Sequence, residues 1–140
     1  MTADDIIRIL ELIPHPEGGH YREIYRHTHK DGSRGFATSI YYLLRAGECS
    51  SWHRHDALEV FYHHAGSPLE IEFWVGSNLL AGESLQANVP AGAWQTAKTL
   101  GDWKLIGCAV APSFEFAGFD MAPDVWTGPT YEFGPPWIKH

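Results

Sequence analysis

The chain has 140 residues, of which 44% are hydrophobic and 19% charged, with a formal net charge of -7. That length suits a single domain spanning 1–140, large enough to bury about two-thirds of its surface without staples. The acidic balance argues against a nucleic-acid partner, and no apolar stretch approaches the about 20 residues that a membrane span needs.

Two cysteines, Cys49 and Cys108, make no disulfide framework. Cys108 sits in an apolar run and reads as a buried small hydrophobe. The N-terminus opens on Asp4 and Asp5 and does not read as a signal peptide, so the expected setting is the reducing cytoplasm.

In chain order, residues 2–12 are expected to form one helix. Thr2 can cap it, Asp4 and Asp5 occupy the first turn, and Ile6, Ile7, Ile9, Leu10 and Ile13 give the apolar stripe. Pro14 ends it, and Pro14–Gly19 is a loop, read as a turn before a pocket rim. From there the chain reads as β. His20–His27 is a strand, and Lys30–Ser33 a turn. Phe36–Leu44 is a buried or half-buried strand rich in β-branched and aromatic residues.

Two short strands follow, Ser51–His55 and Glu59–His64. Leu69, Ile71, Phe73 and Val75 alternate with Glu70, Glu72 and Trp74, and Gly76-Ser77-Asn78 closes a hairpin. Leu85, Ala87 and Val89 alternate again, Pro90-Ala91-Gly92 turns, and Ala93–Lys98 is a strand. Trp103–Ala111, nearly all apolar, is expected to be buried on both faces. About nine short strands with turns between them predict an all-β sandwich or barrel. The tail from Pro123, with Trp126, Tyr131, Phe133 and Trp137, is expected to drape over the surface or a neighbour.

The stretch Gly47-x5-His53-x-His55-x3-Glu59-x6-Gly66 carries the chemistry. On a strand His53 and His55 share a face, and a bend brings Glu59 opposite them. Two imidazoles and a carboxylate suit a divalent transition metal such as iron, manganese, nickel or zinc. Phe61, His63 and Trp94 are candidates for the wall of a substrate pocket. His15, His20, His27, His29 and His140 read as surface residues. Glu23 either supports a ligand imidazole or pairs with a nearby arginine.

The spacing Gly47, His53, His55, Glu59, Gly66 resembles the first motif of the cupin superfamily. The second motif, with its Pro-x-Gly-x-x-His core, is similar to Pro90-Ala91-Gly92-Ala93-Trp94-Gln95, where Gln95 stands in place of histidine as a weaker fourth ligand. Further blocks look like the cupin family called domain of unknown function 985: Pro14–Gly19, Ser39–Leu44, Glu59–Tyr62 with Gly66–Leu69, and Gly107–Pro112. The resemblance implies a jelly roll, a double-stranded β-helix similar to sugar epimerases and germin-like proteins, and a homodimer. It implies no settled activity.

Three functions remain open. The first is a metal-dependent small-molecule enzyme, an isomerase, epimerase or lyase with its site inside the barrel. The second is a metal-free epimerase-like enzyme with His53 or His63 as base and Tyr41 or Tyr62 as acid. The third is a small-ligand binding protein.

Overall fold

Thr2 closes the first helix in both directions. Its hydroxyl accepts the Asp5 N–H at 3.2 Å, and the Asp5 carboxylate accepts the Thr2 N–H at 2.9 Å. The computed structural model describes residues 1–75, 78–82 and 85–123. Helix α1 spans Ala3–Ile9, shorter than expected. It ends at Leu10, and Glu11 adopts a left-handed φ of 54°. Ile13–Pro14 is thereby freed to form a two-residue strand, β1. Proline is tolerated there because β1 lies at a sheet edge.

The remaining described strands are β2 (His20–Arg26), β3 (Thr38–Arg45), β4 (Cys49–His55), β5 (Leu58–Gly66), β6 (Leu69–Val75), β7 (Asn78–Gly82), β8 (Gln86–Val89), β9 (Gln95–Thr99), β10 (Trp103–Ala111) and β11 (Phe119–Met121). They form two antiparallel sheets, one in the order β1-β2-β3-β10-β5-β8 and one in the order β11-β4-β9-β6-β7. The fold is a jelly roll, as the strand count predicts. Sequence reading does not reach β1, β7 or β11, which are too short or too irregular in pattern to show a period of two. The expected turn residues Gly76 and Ser77 and the aromatic tail beyond Pro123 lie outside the described residues.

The core lies between the sheets. Tyr42 and Leu44 of β3, Phe61 of β5, Leu69 and Ile71 of β6, and Ile106 and Cys108 of β10 form one cluster with Val89 and Ala97. A second cluster sits on the outer face of β3, where Ile6 and Leu12 pack on Leu43, which is 0% exposed. Helix α1 therefore covers the six-stranded sheet and explains why Tyr42, Leu43 and Leu44 are buried in succession. On β2 burial does not alternate. The register shifts between Glu23 and Tyr25, and Arg22 through Arg26 are all exposed.

One connection positions the site. Asp56 and Ala57 carry the chain from β4 in one sheet to β5 in the other. Residues at the end of β4 and the start of β5 therefore face each other across the sandwich.

Candidate functional site

His53 and His55 both point inward from β4, 3% and 5% exposed, with ring centroids 6.5 Å apart and planes 20° apart. Trp52 and Arg54 point the other way and are half-buried. The His53 Nδ1 lies 2.7 Å from the Ser51 carbonyl. A carbonyl only accepts, so Nδ1 carries the proton and Nε2 is the atom offered to the interior.

What meets that atom is Glu17. Its Oε2 lies 3.0 Å from His53 Nε2, and its side chain is 11% exposed. Glu17 comes from the Pro14–Gly19 loop, which turns on Gly18 (φ 103°) and Gly19 (φ 75°). Neither position has room for a side chain. A Cβ on Gly18 would sit 2.7 Å from the Cys49 carbonyl, and one on Gly19 would sit 2.6 Å from that of Leu43. The Ser51 N–H donates to the Glu17 carbonyl at 2.6 Å, the Glu17 N–H to His15 Nδ1 at 3.1 Å, and the Tyr42 hydroxyl to the Gly18 carbonyl. The loop is thus stitched to β4 and to the inward face of β3.

The second pair is His55 with Glu59. His55 Nε2 is in direct hydrogen-bond contact with Glu59 Oε2, which also accepts the Gln95 side-chain amide at 3.2 Å. The His55 Nδ1 is buried and has no hydrogen-bond partner among the described residues. Gln95 stands beside His53 in register, at the start of β9.

Burial works against a charged His53, but the Glu17 carboxylate, Glu59 and the Ser51 carbonyl override it and raise the pKa to about 9. Burial pushes the Glu17 carboxyl up, and His53, His15 and His55 bring it below the ordinary value. At neutral pH this is an imidazolium–carboxylate pair. Burial lowers His15, so that ring is neutral. Burial and the two carboxylates hold the Tyr42 hydroxyl and the Cys108 thiol in their protonated forms.

A cavity of about 60 Å³ opens onto this cluster. His15, Glu17, Glu23, Arg26, Thr38, His55 and Glu59 supply its polar groups, Tyr21, Phe114 and Phe116 its aromatic walls. Two wider hollows measure about 380 and 400 Å³, one lined by Cys49, Trp52, Glu70 and Lys98, the other by His55 together with Arg54, Asp56 and Asp120.

His53, His55, Glu59 and Gln95 therefore come together in one buried cluster. Phe61, His63 and Trp94 do not line its cavity. Phe61 is 6% exposed in the core, His63 contacts Lys104, and Trp94 lies under the Arg54 guanidinium, 4.6 Å from its carbon to the ring centroid. Of the strand tyrosines, Tyr42 rather than Tyr41 faces the interior. Glu23 pairs with Arg26 at 2.7 Å.

His15 is a correction. Its side chain is 7% exposed rather than on the surface, because the Pro14–Gly19 loop folds into the mouth of the barrel. Glu17 was missed altogether. Its one sequence signal is its place in Pro-His-Pro-Glu-Gly-Gly, where stiff and left-handed positions fix a loop tightly enough to aim a side chain.

The donor types suit a divalent transition metal: two imidazoles, two carboxylates and an amide. Their placement does not form such a site. Among the described residues no three His, Cys, Asp or Glu side chains are grouped so as to hold an ion. Each imidazole faces its own carboxylate, and Gln95 turns its NH2 group to Glu59.

An antiparallel two-sheet jelly roll with an inward histidine pair on one strand and an acid on the next defines a cupin. The chain belongs to the family described as Cupin superfamily (DUF985), whose model matches residues 4–122. A crystal structure of a protein from Shewanella oneidensis is similar at 39% identity and a TM-score of 0.82, covering 87% of this chain and 85% of that one. A hypothetical protein from Leishmania major is similar at 28% identity and a TM-score of 0.79, covering 86% of each chain. A variant of oxalate decarboxylase from Bacillus subtilis shares the fold, at 16% identity and a TM-score of 0.63, over 78% of this chain and 29% of that one. No match is found among curated proteins. No helix among the described residues is long and apolar enough to cross a membrane.

Proposed function

We propose that the chain acts on a small polar organic molecule at the mouth of the barrel, by proton transfer, as an isomerase, epimerase or lyase does. One observation supports this reading: of the three carboxylates that line the same small cavity, Glu17 and Glu59 are each backed by a buried imidazole, while Glu23 pairs with Arg26. Buried carboxylates cost stability unless they are paired, and their pairing here leaves them facing a space that a ligand fits.

In this mechanism one carboxylate takes a proton from carbon or oxygen of the ligand. The other, with its imidazole, returns a proton from a different side. His53 does not line the cavity; it holds Glu17 ionised and oriented. His15, whose Nδ1 accepts the Glu17 N–H, keeps its proton on Nε2 as a donor. The Phe114 and Phe116 rings narrow the opening and limit water.

The test is hydrogen exchange in deuterium oxide, followed by NMR, with short hydroxy acids, keto acids and aldoses. Washout of a carbon-bound hydrogen that disappears in both Glu17→Gln and Glu59→Gln supports the reading. Washout that survives both substitutions, or none with compounds shown to bind, counts against it.

A second reading keeps the metal, and the His53 Nδ1 bond to the Ser51 carbonyl favours it. That is how metal-binding imidazoles are commonly oriented. His53, His55 and Glu59 would hold the ion, with Gln95 as a weak fourth, and the ion would supply Lewis acidity. Elemental analysis of wild type against the His53→Ala, His55→Ala double mutant decides. Equal metal content in the two removes this reading.

We also propose a homodimer. Past Tyr21 no described strand pairs with the outer edge of β2, and exposed Ile24, Tyr25 and Phe36 lie along or near it. A monomer by sedimentation at micromolar concentration would exclude it.

A further inference from the structure

The barrel holds a second buried cluster, remote from the cavity. Lys104 is 3% exposed, although it carries the longest cationic stem in a strand of small and apolar residues. On β10 it alternates with Ile106, Cys108 and Val110, all buried, so it shares their inward face. Cys108 and Val110 line the cavity at the mouth; Lys104 lies toward the other end of the strand, four and six residues away. Its neighbours in register are Leu44 on β3 and Gly66 on β5.

Among the described residues the amine has one polar partner, the Nδ1 of His63, with which it is in direct contact. No described carboxylate pairs with it. An ammonium in such a place has no countercharge to offset its lost hydration, and burial lowers the Lys104 pKa. A lower pKa enlarges the share of neutral amine, which carries a free electron pair and is a nucleophile. It also lies close to the outside: Lys104 opposite Gly66 is the last pair between β10 and β5, and Gly66 is exposed.

We propose that Lys104 is a separate reactive site, an amine that condenses with a small aldehyde to form a Schiff base, with the His63 ring as proton carrier. The Lys104 nitrogen attacks the carbonyl carbon, and a C–N bond forms as the carbonyl π pair moves to oxygen. The proton leaving nitrogen and the proton arriving on oxygen pass through the His63 ring, giving a carbinolamine. His63 then returns a proton to the departing hydroxyl, water leaves, and the imine remains. One water is lost per adduct and nothing is oxidised or reduced. The tight burial restricts the partner to a short aldehyde.

This inference is independent of the chemistry proposed at the mouth, and its test uses no substrate of that site. The native protein is incubated at pH 7 with acetaldehyde and cyanoborohydride, which reduces the imine to a stable ethylated amine, and the lysines are compared by peptide mass spectrometry. A lowered pKa raises an amine's neutral fraction, so Lys104 should label at least about twofold faster than Lys30 and Lys98. In His63→Phe, labelling of Lys104 should slow while that of Lys30 and Lys98 stays the same. Equal labelling of all three in the native protein, or labelling of Lys30 and Lys98 without Lys104, overturns the proposal. Unchanged labelling of Lys104 in His63→Phe overturns the role of the ring.

Discussion

Two ends of one barrel hide ionisable groups from water, and they resolve the cost in opposite ways. At the mouth, His53 meets the Glu17 carboxylate at 3.0 Å, and the ring is charged with a pKa of about 9. Toward the other end, the one polar partner of Lys104 among the described residues is the His63 ring, and the amine's pKa is lowered by burial. Each residue is 3% exposed, so exposure does not decide the direction of the shift. The neighbour does. A carboxylate raises the pKa of a buried base, and an imidazole leaves burial free to lower it.

The strongest way to break that contrast is to remove the carboxylate. Glu17→Ala should destabilise the fold by about 3 kcal/mol, since it leaves a buried partner unpaired. Urea denaturation at pH 7 measures it, and NMR titration should find the His53 pKa lowered from about 9. A loss under 1 kcal/mol with an unmoved titration would mean that Glu17 does not hold the charge.

The pH dependence of the wild type sharpens the same point. His53 is raised in the fold, so its contribution is fully present below about 6.5 and is lost as pH rises through about 9. Glu17 is lowered, so its contribution is present above the ordinary glutamate value and is lost as pH falls through its folded pKa. The pair should stabilise most between those limits, and in Glu17→Ala the alkaline loss should vanish. Any metal that binds must displace the His53 proton, so its apparent affinity should fall about tenfold per pH unit below 9. Titration calorimetry with zinc or manganese at pH 6, 7 and 8 reads that slope.

A smaller effect of opposite sign is expected at the other end. Lys104 is lowered in the fold, so it weakens the protein at neutral pH, and that cost eases as pH rises toward the ordinary lysine range. Lys104→Met should therefore leave stability unchanged or raise it by about 1 kcal/mol at pH 7, with less gain at pH 10. A loss of 2 kcal/mol would show that the amine is well satisfied where it is. Smallest of all should be Glu70→Gln. It weakens a partly exposed contact with Lys98 at 3.3 Å, and about 0.5 kcal/mol is expected, with ligand binding untouched. Glu59→Gln in the same assay should lose binding.

The fold was largely legible because its strands alternate and its turns carry glycine and proline at the positions that demand them. The motif histidines share a face, and Glu59 lies opposite, as a period of two requires. The rest of the site was not legible for a physical reason. Glu17 reaches His53 from 36 residues away through a loop, and no local periodicity encodes that approach. Lys104 was hidden differently. One charge in the apolar run Trp103–Ala111 is easily passed over, yet the inward phase of Ile106 and Cys108 already assigns it to the interior.

The Pro14–Gly19 loop has one more consequence. The histidines, Glu59 and Gln95 are built into strands and cannot move without disturbing the sandwich. The group that charges His53 is not: it rides on a six-residue clip folded into the mouth of the barrel. Exchanging that clip would change the acid–base character of the interior while every strand stayed in register. The barrel behaves as a socket, and the clip as the interchangeable part that sets its chemistry.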